Sequence, residues 1–188
     1  GERRMGLRIA LLYGGQSSEH EVSVMSASSV LKAVAGKIEI FPIGITKDGQ
    51  WIPGLSPEAL AESGRIEVIP PSEEVDYRLL QNPSGFILGR LKEEVDLVFP
   101  LLHGPKGEDG TIQGLLELAG IPYIGGGIAA SALGMDKALM KALFCQQGFP
   151  VGDYHVFLRK EWETQPQSVI EAIEENFGYP CFVKPANM

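Results

Sequence analysis

Apolar residues in this chain fall into short blocks separated by glycine-bearing turns, and the blocks alternate between two spacings. Ile9, Leu11 and Leu12 lie in one run, Arg8–Tyr13, that stops at Gly14-Gly15; this predicts a buried strand. Val24, Ser28, Val30, Leu31 and Val34 then recur at helical spacing, with Ser23 the expected N-cap and Gly36 the stop. A second strand is predicted over Ile38–Ile45. The turn Lys47-Asp48-Gly49-Gln50 would return the chain through Trp51-Ile52 as a hairpin. Ser56-Pro57-Glu58 predicts a short capped helix closed by Gly64. Residues 65–90, broken by Pro70-Pro71 and Asn82-Pro83, show no consistent period.

The pattern sharpens again at Val95–Leu102, "VDLVFPLL", which reads as a buried strand running into the loop "HGPKGEDG". The helix "TIQGLLELAG" follows, with Thr111 as expected cap and Gly120 just past its end, and then a short strand at Ile121–Ile124. Strands alternating with helices predict a parallel sheet covered on both faces. Gly125-Gly126-Gly127 is the candidate domain boundary. Beyond it the spacing predicts a helix over "MDKALMKALFCQQG", a strand at 154–159, a helix over "PQSVIEAIEENFG" and a strand at 179–185. That last strand would need a partner, and few residues remain to supply one before Met188. The second domain is therefore expected to be incomplete.

The 188 residues are enough for one domain plus part of another, and 44% hydrophobic with 21% charged is a globular balance. Sixteen basic against twenty-four acidic residues give a net charge of −8, which argues against a nucleic-acid surface. It leaves room for a small anion held by one or two lysines. Cys145 and Cys181 sit in apolar contexts without metal-ligand spacing, as expected of reduced, structurally inert thiols. No apolar run approaches the ~20 residues of a membrane span. A cytoplasmic protein is expected, and Gly1–Arg4, ahead of Met5, are set aside as a remnant outside the fold.

Two loops carry the candidate chemistry. "GGQSSEHEVS" follows a strand as a phosphate loop would, yet it holds Glu19, His20 and Glu21 and lacks a G-x-G-x-x-G. The acids suit a helix N-terminus, where the dipole favours negative charge. Alternatively, Glu19 faces the crevice at the carboxyl ends of the strands, where it would prefer an ammonium group to a phosphate. In "LLHGPKGEDGTIQG" His103 follows the strand directly, and Gly104, Gly107 and Gly110 permit a close backbone approach. His103 could equally cap a backbone group, and Glu108-Asp109 could be no more than a helix N-terminal charge pair. Lys137, near a helix start, and Lys184, at the end of "PCFVKP", are two cations on separate elements that could clamp a polyphosphate. His20 and His155 lack supporting company, and Trp51 and Trp162 read as packing residues.

Together "GGQSSEHEVSVMSA", "PLLHGPKGEDGTIQGLLELAGIPYIGGGIAASALGMDK" and "PCFVKPANM" closely resemble the D-alanine–D-alanine ligases, which are ATP-grasp enzymes of bacterial cell-wall synthesis. The resemblance runs over nearly the whole chain from Met5 and is weakest over 46–95. It implies an α/β fold: a Rossmann-like, pre-ATP-grasp parallel-sheet domain over 5–125, then an incomplete central ATP-grasp α+β domain over 126–188. A C-terminal domain, carrying the acids that bind Mg2+ or Mn2+, is expected to lie outside these residues, so this chain alone is expected to be inactive. The resemblance further implies that ATP activates one D-alanine as an acyl phosphate and the amine of a second attacks it. Glu19 would hold the ammonium of the first D-alanine, His103 would lie near its carboxylate, and Lys137 and Lys184 would contact the nucleotide phosphates. A homodimer is expected. A D-lactate- or D-serine-adding ligase of the same family, or a non-catalytic small-molecule binding module, remain alternatives.

Overall fold

The computed structural model describes residues 6–54 and 83–187. The chain divides into two compact units, one ending at Ala132 and the other beginning at Leu133.

The first unit is built on β1 (Arg8–Gly14), β2 (Glu39–Ile45), β3 (Trp51–Pro53) and β4 (Leu97–Pro100), in the order β3-β2-β1-β4. β1 runs parallel to both β2 and β4, whereas β3 returns antiparallel to β2 through the Lys47–Gln50 turn. The expected strand at Ile121–Ile124 is a single parallel bridge, Tyr123 to Val98, on the outer side of β4. The helices of this unit are α1 (His20–Val34), α2 (Pro83–Glu94) and α3 (Thr111–Ala119); α4 (Ile128–Met135) crosses the division between units.

Alternation along β1 creates two cores, as the pleat requires. Ala10 and Leu12 point to one face, where Ile43, Ile45 and Val98 meet Leu91 of α2 and Ile112 and Leu116 of α3. Leu11 and Tyr13 point to the other, against Val24, Ala27 and Leu31 of α1. The predicted sheet, covered on both faces, is therefore present, with an antiparallel edge.

Several local expectations are corrected. Ser23 is not the N-cap of α1: the helix begins three residues earlier and Glu19 occupies the cap position. Ser23 is instead buried, its hydroxyl accepting from Gly14 N–H at 2.8 Å and donating to the Leu101 carbonyl. A serine satisfied by tertiary partners looks, in sequence, like a serine offered to a helix end. Thr111 is the first residue of α3, and Gly110, with φ of 92°, stands at the cap. The helix predicted at 56–64 lies outside the described residues. α2 occupies the end of the 65–90 stretch that showed no period.

The second unit contains α5 (Lys137–Gln146), α6 (Arg159–Thr164) and α7 (Pro166–Asn176). Asp136 caps α5, its Oδ1 accepting from Ala138 and Leu139 N–H at 3.0 Å each. The strands predicted at 154–159 and 179–185 do not form, and Arg159 already belongs to α6. A strand exists only where a neighbouring backbone pairs with it. Here neither segment has a ladder, and Phe182 is 93% exposed and Leu158 66%. Trp162, expected to pack, is 47% exposed, whereas Trp51 does pack against the core of the first unit.

Candidate functional site

β2 and β3 lie on one side of β1 and β4 lies on the other, so the strand order reverses at the β1–β4 pair. Open α/β sheets bind ligands outside the carboxyl ends of their strands at such a point. The loops leaving β1 and β4 are the two that carry Glu19 and His103.

The first loop turns through Gly14 and Gly15, whose φ values of 88° and 95° are left-handed. Two successive residues of this kind call for glycine, since a β-carbon would crowd the following carbonyl. Gly15 N–H reaches back to the Ile45 carbonyl at 2.8 Å, holding the loop against the end of β2. Ser17 Oγ accepts from Glu19 N–H at 3.1 Å and donates to the His103 carbonyl at 2.8 Å, tying the first loop to the second. Lys106 Nζ adds a tie across the gap, donating to Gln16 Oε1 at 2.6 Å.

Glu19 stands at the N-cap of α1, yet its carboxylate takes no cap hydrogen bond. It is exposed and lies over Gly104, where an added β-carbon would sit 3.1 Å from Glu19 Oε2. His103, the residue before Gly104, is half-buried, with Nε2 3.3 Å from the Ser26 hydroxyl on α1. Glu19 and His103, 84 positions apart in sequence, are thus brought to the same end of the sheet by the Ser17 link and the Gly104 contact.

The other residues of the first charged run are structural. His20 is buried, and its Nδ1–H donates to the Gly15 carbonyl at 2.9 Å; the carbonyl only accepts, so this nitrogen must carry the proton. Glu21 pairs on the surface with Lys47 of the β2–β3 turn, and that hydrogen bond holds its carboxyl below the usual range.

The second loop curls onto itself. Gly107 and Glu108 N–H both donate to the Gly104 carbonyl, at 3.2 and 3.0 Å, and Gly104 N–H donates to Glu108 Oε2 at 2.8 Å. Asp109 accepts from Lys106 N–H at 2.8 Å and from Thr111 N–H at 3.0 Å. Partial burial pushes its carboxyl up, but these donors, with the Thr111 hydroxyl, outweigh burial and hold it below the usual carboxylate range. Glu108 and Asp109 therefore do more than decorate a helix N-terminus: each ties loop backbone. Lys106 itself is left-handed, with φ of 69°. A β-carbon on Gly107 would lie 2.5 Å from Leu102 Cβ, so this glycine is required by close packing.

The two lysines belong to the second unit. Lys137 is the first residue of α5, and its N–H donates to the Ala186 carbonyl at 2.7 Å beside an antiparallel bridge between Asp136 and Asn187. The segment that carries Lys184 is thus pinned to the helix start that carries Lys137. The Lys184 side chain is exposed. Cys145 and Cys181 are free thiols, the first exposed and the second half-buried. Among the described residues, no three His, Cys, Asp or Glu side chains are grouped as a metal would need.

Sequence reasoning singled out Glu19 and His103 but missed Gln16, Ser17, Lys106 and Gln113. Their types carry no signal alone, because each acts through a bond to the opposite loop or to loop backbone.

The family model for the D-ala D-ala ligase N-terminus matches residues 8–126, and that for the D-ala D-ala ligase C-terminus matches 143–188. The chain belongs to the D-alanine–D-alanine ligase family. It is similar, at 45% identity over 190 residues, to a D-alanine–D-alanine ligase of Bacillus cytotoxicus, covering 97% of this chain and 51% of that protein. Among solved structures it resembles the VanG D-Ala:D-Ser ligase from Enterococcus faecalis, with a TM-score of 0.70 and 36% identity over 97% of this chain and 53% of that one. It also resembles the D-alanine-D-alanine ligase from Coxiella burnetii, with a TM-score of 0.66 and 29% identity over 90% of this chain and 49% of that one. The chain spans about half the length of the curated relatives it matches. Membership of this ATP-grasp family agrees with the sheet topology of the first unit.

Proposed function

We propose that this chain is the substrate-binding and early nucleotide-binding part of an enzyme that joins two D-alanines with ATP, for peptidoglycan precursor synthesis. In this reading, residues 5–125 form the amino-acid domain and 126–188 begin the nucleotide-gripping domain. The γ-phosphoryl group passes to a carboxylate oxygen of the first D-alanine, turning a poor acyl electrophile into an acyl phosphate and releasing ADP. The amine of the second D-alanine then attacks the acyl carbon, phosphate leaves with the electron pair, and a peptide bond remains.

Glu19 is the ammonium ligand of the first D-alanine, and His103 lies by its carboxylate. The observation that carries this is Glu19 itself: a cap-position acid that does not cap, set against Gly104 at the carboxyl ends of β1 and β4. An acid left without backbone donors at a ligand crevice is matched to a cation. Lys137 and Lys184 contact the nucleotide phosphates, a role supported by the backbone link between their two segments. Such cations stabilise charge on the transferring phosphoryl group. Among the described residues no three His, Cys, Asp or Glu side chains cluster, and the magnesium ligands are placed in the family's C-terminal half. The enzyme is taken to be cytoplasmic and homodimeric.

D-serine as the second amino acid is the second reading, supported by the likeness to a D-Ala:D-Ser ligase. The 45% identity to curated D-alanine–D-alanine ligases favours D-alanine.

The test is Glu19→Gln in a polypeptide of full family length. A hydrogen bond to a charged partner contributes about 1.5–3 kcal/mol, so saturation by the first D-alanine should weaken about tenfold to a hundredfold. Unchanged kinetics would remove Glu19 from the role.

A further inference from the structure

Gln113 is buried in the first turn and a half of α3, and only one of its two polar atoms is partnered. Its Nε2 donates to the Gly107 carbonyl at 3.1 Å, while Oε1 is buried without a partner among the described residues. An apolar side chain of the same length would fill the space without stranding an acceptor. What the amide supplies instead is a donor for one loop carbonyl.

That carbonyl belongs to a particular peptide plane. The group joining Gly107 to Glu108 carries the Gly107 C=O at one end and the Glu108 N–H at the other. Gln113 holds the first, and the Gly104 carbonyl accepts from the second at 3.0 Å. A peptide flanked by glycine rotates easily, because no β-carbon on the glycine side opposes the change. Rotation here would break both bonds at once. It would loosen the hold on Gly104, leaving its carbonyl only the Gly107 N–H at 3.2 Å. An added β-carbon on Gly104 would sit 3.1 Å from Glu19 Oε2, and the Gly104 N–H donates to Glu108 Oε2. The Gln113 amide cannot serve in its flipped orientation, since Oε1 would then face the Gly107 oxygen.

We propose that Gln113 is a positioning residue of the amine site: it locks the Gly107–Glu108 peptide and so fixes the loop face that meets Glu19. This deepens, and rests on, the reading of Glu19 as an ammonium ligand. Gln113 touches no substrate; it acts through the backbone of the second loop.

The test uses the 188-residue chain and its Gln113→Met variant, with D-alanine as the ligand. Amide hydrogen exchange at Gly107 and Glu108 should quicken about tenfold or more in the variant, with α3 amides such as Leu116 unaffected. D-alanine affinity should fall about tenfold while the unfolding midpoint stays within a few degrees of the parent, a split that a purely structural role would not produce. Equal D-alanine binding by parent and variant would overturn the proposal, as would losses of protection and affinity that merely track a fallen midpoint. Absence of D-alanine binding by the parent would instead overturn the amine-site reading. A measurement on the parent stands independent of the variant's folding: the Gln113 side-chain amide protons should exchange more slowly when D-alanine is bound. Exchange unchanged at saturating D-alanine would refute the lock.

Discussion

Among the described residues Tyr13 is the largest fully buried side chain, and its hydroxyl has no partner among them. Burial pushes the phenol well above its ordinary value of 10.0. The sign of the consequence follows directly. The folded protein keeps the proton to higher pH than the unfolded chain, so stability is intact below about pH 10 and declines as pH rises beyond it. The decline should approach about 1.4 kcal/mol per pH unit from this residue. Tyr13→Phe removes both the stranded hydroxyl and the titration. Its urea midpoint should equal or exceed the parent's at about pH 8, and the advantage should grow by about pH 11. A midpoint lowered at both values would mean that the hydroxyl has a partner. Glu19 illustrates the same point at the ligand crevice: a polar group without an internal partner is informative only through its surroundings, and those of Glu19 are open.

The elements meet at the carboxyl end of the sheet through a few side chains. Ser23 of α1 takes the N–H of Gly14, at the end of β1, and gives its proton to Leu101, just past β4. One hydroxyl therefore adds a bridge between the ends of two strands already paired in the sheet, at the point where their loops leave it. Ser23→Ala leaves a buried N–H and a carbonyl unpaired, and should cost about 1–3 kcal/mol in chemical denaturation. A loss below about 0.5 kcal/mol would show that the strand ends are held by other means. The sequence pattern revealed the strands and helices where one face is buried and a glycine marks the end, as in β1 with Gly14 and α3 with Gly120. It failed where the signal depended on partners. Ser23 passed for a cap, and 154–159 and 179–185 passed for strands because apolar alternation reports what a segment would bury, not whether another backbone lies beside it. α2 was hidden for a local reason: Gly89 interrupts it and Pro83 opens it, so Leu88, Leu91 and Val95 did not stand out as one face. In the crevice, Glu19 and His103 were legible because an acid and an imidazole directly follow strand-ending turns. Ser17 and Gln113 were not, because polar side chains that serve loop backbone have no fixed spacing.

Across the chain, the first unit has two hydrophobic cores and two loops joined by their own hydrogen bonds. The second has Val169 as its one buried hydrophobic among the described residues and carries exposed apolar side chains such as Phe182 and Val183. Under the proposed function, amine recognition falls to the first unit and phosphate contact to the second, which bears Lys137 and Lys184. The first assignment can be tested alone. Isotope-labelled 188-residue chain is titrated with D-alanine and, separately, with N-acetyl-D-alanine, which has the same carboxylate but no ammonium. D-alanine should shift the amides of residues 14–23 and 103–110 saturably, and N-acetyl-D-alanine should leave them in place. Equal shifts with both compounds, or none with D-alanine, would contradict an ammonium site at Glu19.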